Sequence, residues 1–296
     1  MNYARPLRGG WARVIAVWFS QRFASMYHLN LHCPFIDPIL LRLGPLSVSW
    51  YGIMYSVGAL AWYLITRNEI LRRQGPIPIQ ALPEFLFCGL VGGVIGARLG
   101  YVLLYNFPFF HEKPWEVFAF WHGGMSAHGW LVGMSIGGLL FVREHKVPVR
   151  ELADTAYLGL PLGLMAVKIG NFLNCEGFGG VTTVPWGVVV PAGGEFPRHP
   201  TQLYEAVFEG LLLFVILWRL RLRTLQPGDL SCFFLVGYGS LRFMIEFFRE
   251  PDHSWGHILG WVTEGQILSL CVIAVGLIGY ALPRLNYRTA DSKKSE

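Results

Sequence analysis

Lys168, Asn171, Asn174 and Glu176 crowd the far end of an apolar run, Gly159-Leu-Pro-Leu-Gly-Leu-Met-Ala-Val-Lys-Ile-Gly-Asn-Phe-Leu-Asn-Cys-Glu-Gly-Phe-Gly-Gly180. At helical spacing Lys168, Asn171 and Cys175 share a face, with Asn174 beside them. A cation in hydrocarbon costs about 3 kcal/mol on insertion scales, so it must face protein or a water-filled cavity. The glycines from Gly177 to Gly180 then end the helix and let the backbone approach something closely. An ammonium flanked by carboxamides is anion-binding chemistry, and this stretch reads as one wall of a polar pocket at a membrane face.

Other segments offer groups to complete it. Tyr238, Arg242 and Glu246 recur at i, i+4 and i+8 through an otherwise apolar helix. An ordinary ion pair between Arg242 and Glu246 explains two of the three. Arg98 shares a stripe with Tyr101 and Tyr105, and Gln202, Glu205 and Glu209 fall on one face of a later segment. Arg98, Lys168 and Arg242 all lie towards the outer ends of their segments. Glu205, Glu209 and Glu246 neutralise part of this charge, and a bound phosphate is the natural remaining partner. The pocket therefore suits an anionic lipid headgroup. His128 sits in Trp121-His-Gly-Gly-Met-Ser-Ala-His-Gly129. A buried histidine is most often structural, but the glycines around this one thin the wall beside the imidazole.

The positioning elements follow from composition. The chain is 53% hydrophobic and 15% charged, with a mean hydropathy of +0.42, too apolar for a soluble domain of this length. Segments at about 46–66, 84–105, 124–143, 153–173, 203–220, 230–248 and 264–283 are long enough to span a bilayer. The expected fold is an all-α integral membrane protein of about seven transmembrane helices. A small external head loop region covers about 174–202, where Val188-Val-Val190 is strand-like. Gly92, Gly96 and Gly100 mark a close helix contact, and Thr201 reads as a helix cap.

Thirteen basic residues, among them Arg67, Arg143, Arg219 and Arg284, lie in the loops after segments one, three, five and seven, against Lys113, Arg198 and Arg249 in the opposite loops. The positive-inside rule makes the first set cytoplasmic, with the N-terminus outside and the C-terminus inside. Arg5, Arg8, Arg13 and Arg22 oppose that orientation. Met26 is therefore the expected natural start, or residues 1–25 lie at the surface. A rival is an interfacial helix through Trp11, Val14, Ile15 and Trp18. The expected division is an extension at 1–30, a membrane domain at 31–285 and a cytoplasmic tail at 286–296. The net charge of +5 is scattered between apolar runs and does not point to nucleic acid. No phosphate-binding glycine loop follows a strand-like run. Five cysteines without a C-x-x-C pair argue against a disulfide framework and a zinc site, and four of them read as apolar filler.

Six blocks in order carry a resemblance: Trp50-Tyr-Gly-Ile-Met-Tyr55, Gly96-Ala-Arg-Leu-Gly-Tyr101, Gly123-Gly-Met-Ser-Ala-His128, Gly170-Asn-Phe-Leu-Asn-Cys-Glu176, Pro197-Arg-His-Pro-Thr-Gln-Leu-Tyr-Glu205 and Gly237-Tyr-Gly-Ser-Leu-Arg242. Together they resemble the phosphatidylglycerol–prolipoprotein diacylglyceryl transferases of bacterial inner membranes, from about Cys33-Pro-Phe-Ile-Asp-Pro38 to the last span. The resemblance implies transfer of diacylglyceryl from phosphatidylglycerol to the lipobox cysteine thiol of a prolipoprotein signal peptide. A thioether forms and glycerol phosphate leaves, with no metal or organic cofactor. It implies His128 as base, Arg242 on the lipid phosphate and Tyr51 as a further catalytic residue. The expected substrate-facing set is Lys168, Asn171, Arg98, Tyr238, Gly179, Glu176 and Glu246. Partners are phosphatidylglycerol, the prolipoprotein and bilayer lipids, and the N-terminus is periplasmic. The chain departs from the family pattern at Lys168 and Gly180, where arginine is usual, and at Cys175, where glycine is usual. Two rivals use the same cationic cavity without this chemistry: a lipid transporter, which inverted repeats would support, and a diverged paralogue that binds lipid or prolipoprotein.

Overall fold

In a bilayer the backbone finds no partner but itself, so apolar runs of about twenty residues close into helices. The computed structural model describes residues 31–33, 37–43, 46–104, 106–119, 124–250, 257–258 and 262–292. The extension at 1–30, with the Met26 start and the interfacial helix, lies outside the described residues. Among the described residues, four helical stretches are long and apolar enough to cross a membrane: Ile79–Leu104, Val149–Leu173, Asp229–Phe248 and Glu264–Leu282.

The described helices are α1 (Trp50–Arg73), α2 (Leu82–Leu104), α3 (Phe107–Glu112), α4 (Ala127–His145), α5 (Val149–Leu173), α6 (Thr201–Glu205), α7 (Leu213–Leu220), α8 (Asp229–Ile245) and α9 (Glu264–Ser292). A π-helical stretch, Ala206–Leu212, joins α6 to α7. Helix α9 runs on into residues expected as tail. The chain divides into two units, one of residues 1–59, 161–216 and 233–296, the other of 60–160 and 217–232.

The second unit is built on α2 against α4. Glycines do the work: a Cβ at Gly96 would run into the Gly129 carbonyl, and one at Gly133 into that of Gly92. The stripe expected on α2 thus meets a matching stripe on α4, and the backbones touch. Ile70, Leu82, Phe141, Val147 and Leu152 form an apolar core at one end. Beside it Glu69, with no exposed surface, accepts hydrogen bonds from Arg72, Arg73 and Arg221. Burial alone would push this carboxyl up, but the three guanidiniums overcome that and hold it at about 2. Asp154 accepts from the Gly228 and Ser231 amides at 2.9 and 2.8 Å, fixing the turn before α8.

The first unit carries a small sheet of β1 (Leu31–His32), β4 (Val188–Val189) and β5 (Pro197–Arg198), with β1 parallel to β4. A separate hairpin pairs β2 (Ile39–Leu43) with β3 (Leu46–Ser49) and leads directly into α1. A third pair, β6 (His257–Ile258) and β7 (Val262–Thr263), leads into α9. Thr263 and Gln266 cap α9 reciprocally, each side chain accepting from the other's amide.

Cys33 and Cys175 form a disulfide across 142 residues of sequence, which corrects the expectation of unpaired cysteines. Spacing could not show it, because the bridge joins β1 to the end of α5 only once both reach the sheet. Val188, Val190, Phe172 and Phe178 pack around it. Cys175 has φ of +59°, a left-handed conformation that costs a side chain about 1 kcal/mol or more and suits the glycine usual here. The disulfide and its apolar surround hold the cysteine there.

Candidate functional site

Helix α5 ends in Lys168-Ile-Gly-Asn-Phe-Leu173. Gly170 lets α1 come close, so that Tyr51 and Met54 lie where a Cβ would be. The Tyr51 hydroxyl shares a hydrogen bond with that of Tyr55 at 3.0 Å. The structure thus brings Tyr51 to the segment that holds Lys168 and Asn171.

Lys168 meets Glu205, Nζ to Oε2 at 2.8 Å. Glu205 is 1% exposed, and its other oxygen accepts from Arg242 and, at 2.9 Å, from Arg249. Arg242 also reaches Glu246 at 3.0 Å, and Arg249 lies 3.4 Å from the same carboxylate. Glu246 accepts in turn from the Thr263 hydroxyl at 3.2 Å. Two anions therefore hold three cations in one cluster contributed by α5, α6 and α8 with the residues after it. Glu209, one helical turn beyond Glu205, is fully buried, and among the described residues neither of its oxygens has a hydrogen-bond partner. Tyr238 stacks parallel on Phe234 with centroids 5.7 Å apart.

The loop after α5 is fixed by backbone contacts. Gly179 donates to the His199 carbonyl at 2.9 Å and accepts from Arg198 at 3.2 Å, while Gly180 donates to Phe248 at 3.0 Å. A Cβ at Gly179 would collide with the Phe248 carbonyl, the Thr201 methyl and His199. Only glycine fits. Arg198 is itself stacked on Phe178 and also bonded to Glu250 and Gly193. Glu176 is exposed and accepts from Gln202 through its carbonyl at 2.6 Å. Thr201 does not cap its helix as expected. Pro200 occupies that place, and the Thr201 hydroxyl donates to Gly177 at 3.1 Å.

Arg98 belongs to the second unit. It is 3% exposed, and its guanidinium donates to the carbonyls of Glu116, Val117, Ala119 and Gly124, with the Phe110 ring 5.2 Å away. Glu116 and Val117 belong to the 3-10 helix Pro114–Phe118, Ala119 follows it, and Gly124 comes shortly before α4. Ser126 caps that helix by accepting from the Gly129 amide at 3.1 Å. His128 is the second residue of α4, and its side chain lies outside the described residues.

The cluster contains one member, Arg249, that the sequence alone assigns elsewhere. Arg249 counts only as a loop charge in the sequence, yet it lies just past the turn Glu246–Phe248, in extended backbone, and its guanidinium reaches both Glu205 and Glu246. Glu205 is expected from the sequence to neutralise part of the cationic charge, and the structure makes it the common partner of Lys168, Arg242 and Arg249. His199 pairs with the Tyr204 hydroxyl at 3.1 Å, and burial pushes its imidazolium down from the usual range. Among the described residues no group of three or more metal-ligating side chains could hold a metal ion.

Comparison with known proteins bears on this arrangement. A family model described as prolipoprotein diacylglyceryl transferase matches residues 38–282. The chain is 43% identical over 268 residues to a phosphatidylglycerol–prolipoprotein diacylglyceryl transferase of Brucella canis, covering 87% of this chain and 94% of that one. A protein of the same description from Brucella ovis matches to the same extent.

Proposed function

The chain belongs to the prolipoprotein diacylglyceryl transferase family, and from that premise we propose how its residues do the work. The protein transfers the diacylglyceryl group of phosphatidylglycerol to the lipobox cysteine thiol of a prolipoprotein. The thiol loses its proton to a base, and the thiolate sulfur attacks the glyceryl carbon that bears the phosphate ester. The carbon–oxygen bond breaks, a thioether forms, and glycerol phosphate leaves with the bonding pair.

The observation that carries the assignment of roles is the convergence of Lys168, Arg242 and Arg249 on Glu205. A leaving phosphate gains charge as the bond breaks, and fixed cations in a water-poor site stabilise that charge. Arg242 offers a planar fork to phosphate oxygens, whereas Lys168 offers a point charge. The base is His128, by its place in the family motif, because a thiol with a pKa of about 8.5 needs one near neutrality. Asn171, Tyr51, Tyr238 and the Gly179 loop surround the lipid head, and Glu246 orients Arg242. Arg98 positions the turn before α4 rather than the phosphate.

Seven spans, rather than the four that meet length and apolarity alone, complete the membrane domain. The sheet of β1, β4 and β5 belongs to an external head of a bacterial inner-membrane protein. The Cys33–Cys175 disulfide supports that side, since such bonds persist in oxidising compartments. The N-terminus is then periplasmic and the C-terminus cytoplasmic. The test is transfer of labelled diacylglyceryl from phosphatidylglycerol to a lipobox peptide by the purified protein. Binding of lipid without transfer would favour the paralogue.

A further inference from the structure

Glu209 has no part in the roles just assigned, and its surroundings are unusual for a carboxyl. It is 0% exposed, and among the described residues both of its oxygens lack a hydrogen-bond partner. It lies in the π-helical stretch Ala206–Leu212, a distortion of the kind often found at functional sites. The charged and titratable groups acting on it are Lys168 from α5, Glu205 from its own helix, Tyr238 and Arg242 from α8, and Arg249 just beyond.

Two facts oppose an ionised Glu209. A carboxylate taken from water without hydrogen bonds is far costlier than the neutral acid. The three cations of the cluster, moreover, already pair with Glu205 or Glu246. A count of charge then decides what the neutral acid does. Lys168, Arg242 and Arg249 contribute three positive charges, and Glu205 and Glu246 two negative ones. With Glu209 neutral, one positive charge remains, which matches a single phosphodiester anion. With Glu209 ionised, the cluster is already neutral and the phosphate has no surplus charge to meet.

We propose that Glu209 carries a proton in the working protein, and that this proton reserves one net positive charge of the Lys168–Arg242–Arg249 cluster for the phosphodiester of the lipid. Glu209 is thus a positioning residue that acts through the cations, and the proposal rests on the transferase reading of that cluster. Rising pH would remove the proton and weaken phosphate binding while every arginine stays charged.

The test uses the whole purified chain in detergent. Difference infrared spectroscopy should show, near neutral pH, the carbonyl stretch of a protonated carboxylic acid that titrates on the alkaline side. That band should vanish in Glu209→Gln and shift in Glu209→Asp. In parallel, binding of short-chain phosphatidylglycerol is followed from about pH 6 to about pH 9, below the titration of lysine near about 10.4. Wild-type affinity should fall at least about tenfold, of the order of one charged hydrogen bond, while Glu209→Gln stays flat and Glu209→Asp keeps the fall. The same alkaline fall in Glu209→Gln, or no titrating band in the wild type, overturns the proposal. The wild-type band is read without any variant, so a variant that fails to fold does not remove the test. A titrating band in a protein that binds no phosphatidylglycerol at any pH overturns the reserved charge together with the transferase reading. A missing band in a protein that does bind the lipid overturns the proton alone.

Discussion

Glu205 holds Lys168 through one carboxylate oxygen, Oε2 to Nζ at 2.8 Å, and gives the other oxygen to Arg242 and Arg249. One buried anion therefore sets the positions of three cations from separate stretches of chain. Replacing one cation changes what remains on Glu205 and, in the proposed reading, what reaches the lipid phosphate.

Lys168 keeps the charge of the family's usual arginine but lacks its fork. Lys168→Arg should preserve or raise transfer, because the guanidinium can serve Glu205 and a phosphate oxygen together. Lys168→Gln should lose at least about tenfold, the scale of one charged hydrogen bond. Steady-state transfer rates decide it, and a glutamine variant as active as wild type would make the position structural.

Gly179 and Gly180 are neighbours with opposite expectations. A Cβ at Gly179 meets the Phe248 carbonyl and two side chains, whereas one at Gly180 finds only that carbonyl, at 4.0 Å. Gly179→Ala should destabilise the protein by about 1–3 kcal/mol, as overpacking does, and depress transfer. Gly180→Ala should leave the thermal midpoint within a degree or two of wild type. Equal midpoints for both variants would show that the loop tolerates a side chain.

The Cys33–Cys175 bridge closes 142 residues of sequence. Closing a loop that long restricts the unfolded chain by about 4–5 kcal/mol in the entropic account. Reduction, or Cys33→Ser, should lower the thermal midpoint and loosen the loop after α5. Thiol labelling before and after reduction measures the bond itself. Labelling of both cysteines without reductant would contradict it.

Glu69 supplies a pH dependence whose sign is fixed. Its carboxyl is held down at about 2 by Arg72, Arg73 and Arg221 against the effect of burial. A depressed carboxyl stabilises the fold above its unfolded value of about 4.3 and loses that contribution as pH falls towards about 2. Stability of the wild type should therefore drop on acidification through that window. Glu69→Gln should be less stable at neutral pH and show a shallower acid drop. An unchanged slope in thermal midpoint against pH would remove Glu69 from the account.

Much of this was legible in the chain, for reasons that differ by residue. Apolar length foretells α2, α5, α8 and α9, because the bilayer makes backbone pairing within a segment compulsory. The Gly92–Gly96–Gly100 stripe announces a close helix contact but not its glycine partners on α4. Lys168 and Arg242 stand out because a cation in an apolar run demands an explanation, and both are in the cluster. Arg98 stands out for the same reason, yet backbone carbonyls satisfy it. A guanidinium's partners are a tertiary fact. The disulfide and the place of Arg249 on Glu205 were hidden likewise, since each depends on segments far apart in sequence meeting. The π-helical stretch after α6 has no periodic signature in the sequence, although the face drawn through Gln202, Glu205 and Glu209 is buried as a whole.

Mass spectrometry of a lipobox peptide incubated with purified protein and phosphatidylglycerol tests the central claim most directly, with released glycerol phosphate counted beside it. Wild type should give one thioether-linked diacylglyceryl per cysteine and one glycerol phosphate per thioether. Arg242→Ala and His128→Ala, each shown to be folded, should form product at least about 100-fold more slowly, the range for lost charge-stabilising or acid–base groups. Product formed by folded Arg242→Ala at the wild-type rate, or none formed by the wild type, would contradict it.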